Sequence, residues 1–351
     1  MDDIDSATRK NTQAKALAIA YGFPLNGIAL IPADGRSPRA ASLDEWLGRG
    51  LHGPLDYMQR TQKARGGIGG RFPWARSVLA LGAFYDGQPQ GREGRDLVAH
   101  MAGYARGRDY HLIFQRRLKQ LAAALVQAGV CSHARGHVDT GPVLERAWAE
   151  TAGLGWIGKN ACLINPRLGS FFLLAEVLMD SVPAPDPPAM PHCGTCQRCL
   201  QACPTQAFVA PGVLDAGRCL VTWNVERRGE TPRELWAQQG AWAAGCDICQ
   251  TVCPYNAPRR TPAPDVELSH PLPWQKMSLA DCILMNAATF DEAFRASALR
   301  RTSLNGLRLG AITAAGNVNA EECRTALKQC LNDTDEEIRA RAAWAILQMN
   351  G

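Results

Sequence analysis

No stretch of this chain is apolar for long enough to cross a membrane as a helix. The run from Phe171 to Met179 is broken by Glu176, and a span needs about 20 apolar residues. The start, Met1-Asp-Asp-Ile-Asp5, is acidic and has no apolar stretch of a secretion signal, so a cytoplasmic protein is expected. Charge of one sign is scarce too. The net charge is +5, which permits a polyanionic partner without requiring one. No glycine run ends in the Gly-Lys-Ser/Thr of a P-loop, so that phosphate site is excluded. Coiled-coil patterning is absent, and a monomer is expected. With 46% hydrophobic and 20% charged residues, the composition is that of an ordinary soluble globular protein. Its 351 residues suit two or three domains.

Cysteine is what the chain has in excess. There are thirteen, and without a secretion signal they point to metal ligation in a reducing compartment rather than disulfides. Cys193-Gly-Thr-Cys196-Gln-Arg-Cys199-Leu-Gln-Ala-Cys203-Pro204 is C-x2-C-x2-C-x3-C-P, the run with which bacterial ferredoxins hold iron–sulfur clusters. Further on, Cys246, Cys249 and Cys253-Pro254 repeat its last three positions, with Ala243 where the leading Cys should stand. Cys219 can supply that ligand across an insertion. Eight thiolates suffice for two [4Fe–4S] clusters. In two-cluster proteins the fourth Cys of a run ligates the other cluster. Cys193, Cys196, Cys199 and Cys253 are therefore assigned to one cluster, and Cys203, Cys219, Cys246 and Cys249 to the second. A pair of four-cysteine zinc sites is the alternative, but zinc ribbons rarely place three Cys in one run with Cys-Pro behind. The remaining five, Cys131, Cys162, Cys282, Cys323 and Cys330, read as buried small hydrophobes.

The organisation along the chain predicts an α/β region over residues 1–182. Thr8 to Tyr21 reads as a helix, Gly27 to Ile31 as a strand and Ser77 to Tyr85 as a buried strand. Ser42-Leu-Asp-Glu45 reads as a capping box. Tyr110 to Ala128 is a long amphipathic helix ended by Gly129, after which Val130 to Val138 returns to the sheet. Pro142 to Ala152 is expected to be a helix with Pro at its first position. Asn165-Pro-Arg-Leu-Gly169 carries a hairpin signal. Five prolines between Val182 and Pro191 form a linker. The cluster domain spans 183–264 and closes at Pro258, Pro262 and Pro264. Residues 265–351 read as helical. The face of Ile338, Ala342, Ala345 and Ile346 should stack on Leu307 to Ala315 and on Cys323 to Leu331, as in HEAT-type repeats.

Three further segments bear on chemistry. In His137-Val-Asp139-Thr-Gly-Pro142-Val-Leu-Glu145-Arg146, Asp139 stands where a strand would end and a helix begin. A helix N-cap is one reading. An acid at the ligand-binding edge of a sheet is the other. A helix N-terminus would lower its pKa, whereas a proton donor needs it raised by burial or an apolar ligand. Gly153-Leu-Gly-Trp156-Ile-Gly158-Lys159-Asn160 is either a turn or a loop that lets backbone approach a large cofactor. Arginines gather at Arg227 and Arg228, and at Arg295, Arg300, Arg301 and Arg308 in a stretch without an acid. Such a face suits phosphate contacts.

Taken in order, these motifs resemble the epoxyqueuosine reductase family. The resemblance covers nearly the whole chain. It rests on Leu55-Asp-Tyr57-Met58, Val138-Asp139-Thr-Gly-Pro-Val-Leu-Glu145-Arg, Gly155-Trp156-Ile-Gly158-Lys159-Asn160, both cysteine runs and the helical tail. It implies cobalamin bound between an N-terminal α/β domain and a ferredoxin-like domain with two [4Fe–4S] clusters. It implies reduction of epoxyqueuosine to queuosine at the tRNA wobble position, fed by an external low-potential electron donor. It implies Asp139 as proton donor, and Tyr57, Trp156, Lys159, Asn160, Cys246 and Asp247 near the corrin. The arginine stretch and the HEAT-like tail would then meet tRNA. A D-x-H-x-x-G signature is absent, since Asp109-Tyr-His111 is followed by Phe114 in place of Gly, in keeping with a family that binds cobalamin without a protein histidine.

Two other classes share some of these features. A corrinoid reductase of a small molecule, like a reductive dehalogenase, would explain the clusters but not the arginine-bearing helical tail. A non-enzymatic electron-transfer module would leave residues 1–182 without a role.

Overall fold

A computed structural model describes residues 2–87, 100–226, 229–257 and 262–350. Arg227, Arg228 and Pro258 lie outside the described residues. The chain opens with helix α1 (Asp2–Ala20), strand β1 (Leu25–Leu30) and helix α2 (Ala40–Gly48). Three short helical turns, Asp56–Arg60, Gln62–Gly66 and Ile68–Arg71, precede strand β2 (Ser77–Phe84), buried at every position. Strand β3 (His100–Met101), helix α3 (Tyr110–Gln127), strand β4 (Ala134–His137) and helix α4 (Glu145–Thr151) follow. Then come β5 (Trp156–Ile157), β6 (Leu163–Ile164) and β7 (Phe172–Met179).

These strands build a four-stranded sheet in the order β1-β2-β7-β4. Helices lie on both faces, as an α/β reading expects, but all three pairings are antiparallel. Antiparallel pairing leaves each strand with two distinct faces. On β7, Ala175, Val177 and Met179 enter a core with Phe114, Leu118 and Leu121 of α3. Phe172 and Leu178 enter the opposite core with Phe72, Val143 and Trp148. Glu176 falls on that second, apolar face, by the alternation of the strand.

Four local expectations change. The Ser42 capping box does not form. Helix α2 begins at Ala40 after Arg39, which sits at φ 59° with no side-chain cap. Ser42 is thus inside the helix, too late to cap it. The helix expected from Pro142 starts at Glu145. Asp139 takes a left-handed φ of 42°, and Gly141 N–H closes a turn onto the Val138 carbonyl at 3.3 Å. Pro142 therefore belongs to the turn, and Asp139 caps nothing. The Asn165–Gly169 signal gives one isolated bridge, because β6 pairs back onto β5 while β7 joins the main sheet. The proline linker does not hang free: Asp186 accepts the Ile28 N–H at 2.9 Å and the Lys15 ammonium at 2.7 Å, pinning it along β1.

The cysteine region holds helix α5 (Arg198–Ala202), the hairpin β8 (Phe208–Ala210) and β9 (Val213–Leu214), strand β10 (Trp242–Ala244) and helix α6 (Ile248–Thr251). Strand β10 runs parallel to β3. The tail folds into helices α7 (Leu279–Ile283), α8 (Ala287–Phe294), α9 (Ser303–Asn317), α10 (Arg324–Cys330) and α11 (Glu336–Gln348). Helix α11 packs against α9 and α10 and buries Ile338, Ala342 and Ala345; Ile346 is only partly covered. Two glycines allow the close approach. A Cβ on Gly316 would lie 2.8 Å from Ala345 Cα, and one on Gly310 would collide with the Ala243 carbonyl of β10. The tail core thus continues into β10, next to the cysteines. Among the described residues no helix is long and apolar enough to cross a membrane.

Candidate functional site

The glycine-rich turn around Trp156 supports the first cysteine set. Cys193, Cys196, Cys199 and Cys253 line one cavity, with Lys159 and Asn160 at its wall. Those are the four cysteines that the crossed pairing of the two runs groups together. Trp156 is buried and donates its indole Nε1–H to Cys193 Sγ at 3.3 Å. Its ring meets His192 and Tyr255 edge-on, at 5.1 and 5.0 Å. Lys159 Nζ donates to the carbonyls of Gly194 and Cys196, at 2.7 and 3.0 Å. Asn160 donates to the Cys249 carbonyl at 3.1 Å. Trp156, Lys159 and Asn160 were expected along a corrin pocket. All three bond to the cysteine loops.

Cys203, Cys219, Cys246 and Cys249 form the second set. Burial pushes the Cys246 thiol up to about 12, with Cys219 and Cys203 close enough to add to it. Burial likewise raises Cys219, with Cys203 beside it. The Ala207 N–H donates to Cys203 Sγ at 3.3 Å. Bound iron would reverse these shifts, since a coordinating thiol is deprotonated outright. Among the described residues no three His, Cys, Asp or Glu side chains close on a single-ion site; the first set is spaced around a volume. Cys162 is a fifth neighbour. It hydrogen-bonds with Cys249, so it is more than a buried hydrophobe, and it stands one residue before β6. Asp247 is also buried. Its Oδ2 accepts the Gly103 N–H at 2.6 Å, which fixes the chain after β3 to the cysteine loop.

The acid site lies at the end of β4. Asp139 Oδ2 is 3.0 Å from His111 Nε2, and His111 Nδ1 is 2.7 Å from Asp109 Oδ1. Asp109 caps α3, accepting the His111 N–H at 3.0 Å, and so orients the imidazole by the same residue that starts the helix. Burial alone would lower the His111 pKa, but the bonds to Asp109 and Asp139 outweigh it and raise it to about 9. Burial pushes Asp139 upward; His111, Arg301 and Arg65 overcome it and hold the carboxyl below its usual value. The Asp139 N–H donates to Glu145 Oε1 at 2.6 Å. Burial, then the charge of Asp139, raises Glu145 to about 7.

Around this acid stand Tyr57, Tyr104, Arg301 and Glu226. Burial and then Glu226 raise the Tyr57 hydroxyl, with Arg301 and Asp139 also within its field. Burial first, then the charges of Glu226, Asp247 and Asp139, raise the Tyr104 hydroxyl well above its usual value. Sequence reading gave His111 and Asp109 no role in the site; an Asp cap two residues before a helix histidine was the available signal.

The arginines are less free than their sequence neighbourhood suggests. Arg301 pairs with Glu226 at 2.5 Å, Arg300 with Asp291 at 2.7 Å and Arg308 with Asp333 at 2.6 Å. Acids from other elements supply what the stretch itself lacks. Arg295 and Arg300 lie toward solvent, while Arg308 is tied further to the Ile283 carbonyl. Arg301 alone of these reaches the field of Asp139.

Known proteins resemble this chain in sequence and in fold. A family described as 4Fe-4S double cluster binding domain matches residues 192–256. A second, described as epoxyqueuosine reductase QueG, DUF1730, matches residues 65–140. The epoxyqueuosine reductase of Gloeobacter violaceus is 40% identical over 312 residues, covering 87% of this chain and 95% of that protein. That of Xanthomonas campestris is 36% identical, covering 99% and 97%. The crystal structure of an epoxyqueuosine reductase with an epoxyqueuosine-modified tRNA-Tyr stem loop superposes with a TM-score of 0.81 at 26% identity, over 98% of this chain and 91% of that one. The enzyme from Streptococcus thermophilus gives 0.82 at 25% identity, over 96% and 90%.

Proposed function

This chain belongs to the epoxyqueuosine reductase family, and on that premise we propose that it reduces epoxyqueuosine to queuosine at the wobble position of tRNA. The observation that carries the reading is the Asp139 carboxyl, held at 3.0 Å by His111 on an exposed turn. Tyr104 feels the charges of both Asp139 and Asp247, the latter next in the chain to Cys246. Removing an epoxide oxygen as water takes two electrons and two protons. The protein must therefore bring a reducing group and an acid to the same carbon–oxygen bond.

The two cysteine sets fit two [4Fe–4S] clusters. The first encloses a cavity, and the second gathers four half-buried thiols. We place cobalamin between the acid and the second set. Asp139 is exposed there and Tyr57 half-buried, and Asp247 is buried. When bound, clusters and corrin supply low-potential electrons taken from an external donor. Tyr57 and Asp139 are the residues that would touch the corrin.

The protein's own part is proton delivery and positioning. Asp139 is ionised in the free protein, and His111 carries a proton up to about pH 9. A large ligand that displaces water from above Asp139 raises the carboxyl's affinity for that proton. Asp139 then takes it from His111 Nε2 and gives it to the departing epoxide oxygen, which spares the site a bare alkoxide. Asp109 holds the other ring nitrogen throughout, so the imidazole keeps its direction.

Arg301 faces the same acid across the site, with Arg295 and Arg300 beyond it on the tail. We place the tRNA backbone there, with Arg227 and Arg228 as further contacts. The domain limits 1–182, 183–264 and 265–351, a HEAT-like stacking of the last, a monomeric state and a cytoplasmic location complete the reading. A host that accumulates epoxyqueuosine in its tRNA tests it. Expression of this chain restores queuosine, and the Asp139→Asn chain does not. Persistence of epoxyqueuosine with the intact chain refutes the proposal.

A further inference from the structure

Strand β7 carries one carboxylate in an otherwise apolar run. Glu176 is 1% exposed, and neither of its carboxyl oxygens has a hydrogen-bond partner. It lies opposite His137 in the β4–β7 register and opposite Ala80 on β2. Its side chain shares the sheet face of Phe172 and Leu178, which α4 covers. The first residue of α4 is Glu145, whose Oε1 holds the Asp139 N–H at 2.6 Å. An unpaired carboxylate buried this deeply is costly. Chains keep such a group neutral, and a neutral buried acid is a stored proton.

Resting on the reading of Asp139 as the acid, we infer that Glu176 and Glu145 form an internal proton reservoir that recharges Asp139 during turnover. The balance of the reaction asks for one. Two carbon–oxygen bonds break, a carbon–carbon double bond forms, and the oxygen leaves as water. Two electrons arrive from the external low-potential donor, and two protons are consumed. The His111–Asp139 pair holds one. The bound RNA base covers the open side of Asp139, so the second proton reaches it from behind. Glu145 gives its proton to Asp139 and takes one from Glu176.

The groups that face this pair are consistent with the role. Glu176 sees Glu145 and Asp139, which favour its protonated form after burial, and Arg65, which opposes it; the balance stands well above the usual carboxylate range. Glu145 sees Asp139, Arg65 and Arg146. His137, opposite Glu176, is held neutral: burial, then Arg135 and Arg71, lower it to about 4, and its Nε2 has no partner. His137 therefore adds no cation beside Glu176 at neutral pH, and Arg135 of the same strand lies over the Phe72 ring.

Glu176→Gln keeps the shape and removes the proton. Infrared difference spectra between wild type and Glu176→Gln should show the carbonyl band of a protonated carboxylic acid at neutral pH, lost in the variant. In reconstituted protein, single-turnover conversion of modified tRNA should slow about tenfold or more in Glu176→Gln, within the range expected for impaired acid catalysis. Affinity for tRNA and thermal stability should be unchanged, and Glu176→Asp should recover part of the rate. Wild-type protein without that band, or a Glu176→Gln rate equal to wild type, overturns the reservoir. Asp139→Asn is measured alongside. If it is slow while Glu176→Gln is not, only the reservoir falls; if it is as fast as wild type, the acid reading falls with it.

Discussion

The indole N–H of Trp156 donates to the Sγ of Cys193 at 3.3 Å. Hydrogen bonds to cluster sulfurs help set reduction potentials. Such a bond favours the more negative, reduced state of a cluster. Trp156→Phe keeps an aromatic ring between His192 and Tyr255 and deletes the donor. The midpoint potential of one cluster should fall, by up to about 59 mV, a tenfold change in a one-electron equilibrium. The other cluster should not move. A redox titration followed by electron paramagnetic resonance reads both, and two unchanged potentials would deny Trp156 this role.

His111 should make stability depend on pH in a stated direction. Its folded pKa, about 9, lies above the unfolded 6.5. Its stabilisation is therefore fully present below about pH 6.5 and is lost as pH rises through about 9. Asp139 works the other way: its carboxyl is lowered on folding, so its share is lost as pH falls below the usual carboxylate range. Denaturant unfolding of wild type and His111→Phe should differ most near pH 6 and converge above pH 9. Curves separated by a constant amount would show that His111 is not held as a cation.

Asp139→Asn should leave tRNA affinity intact and slow single-turnover reduction about 10²–10⁴-fold, the usual loss for a general acid. Because Asn still accepts a hydrogen bond from His111, the turn itself should persist. Rate and binding are read on the same reconstituted protein. An undiminished rate would take Asp139 out of the chemistry.

Arg300→Ala and Arg301→Ala should weaken tRNA binding and lower its salt dependence. Each phosphate that is no longer neutralised should reduce the slope of log K against log salt by about 0.7–0.9. Arg301 gives up its bond to Glu226 on binding, so Glu226→Gln should tighten tRNA. Binding measured at several salt concentrations gives the slopes, and identical slopes for wild type and both arginine variants would remove the tail arginines from the interface.

How much of this was legible in the sequence follows from how local each feature is. Ligand spacing in the Cys193–Cys203 run is local, and the grouping of Cys253 with it follows from a repeat. The amphipathic pattern of Tyr110 to Ala128 marks a helix that the structure ends at Gln127. Asp139 is different. A left-handed residue in the Val138–Gly141 turn displaces the helix start to Glu145, and spacing carries no trace of it. The partners of Arg301 and Arg308 come from Glu226 and Asp333, outside the stretch that reads as uncompensated. Glu176 reads in the sequence only as the break in an apolar run. Its meaning depends on which face of β7 it occupies and on α4 above it.

The most direct measurement is the nucleoside content of epoxyqueuosine-bearing tRNA incubated without oxygen with protein reconstituted with iron, sulfide and cobalamin, plus a strong reductant. Mass spectrometry of the hydrolysed RNA should show epoxyqueuosine replaced by queuosine, lighter by one oxygen atom, and only when cobalamin and reductant are both present. Epoxyqueuosine left intact by protein that carries both clusters and the corrin would contradict the account.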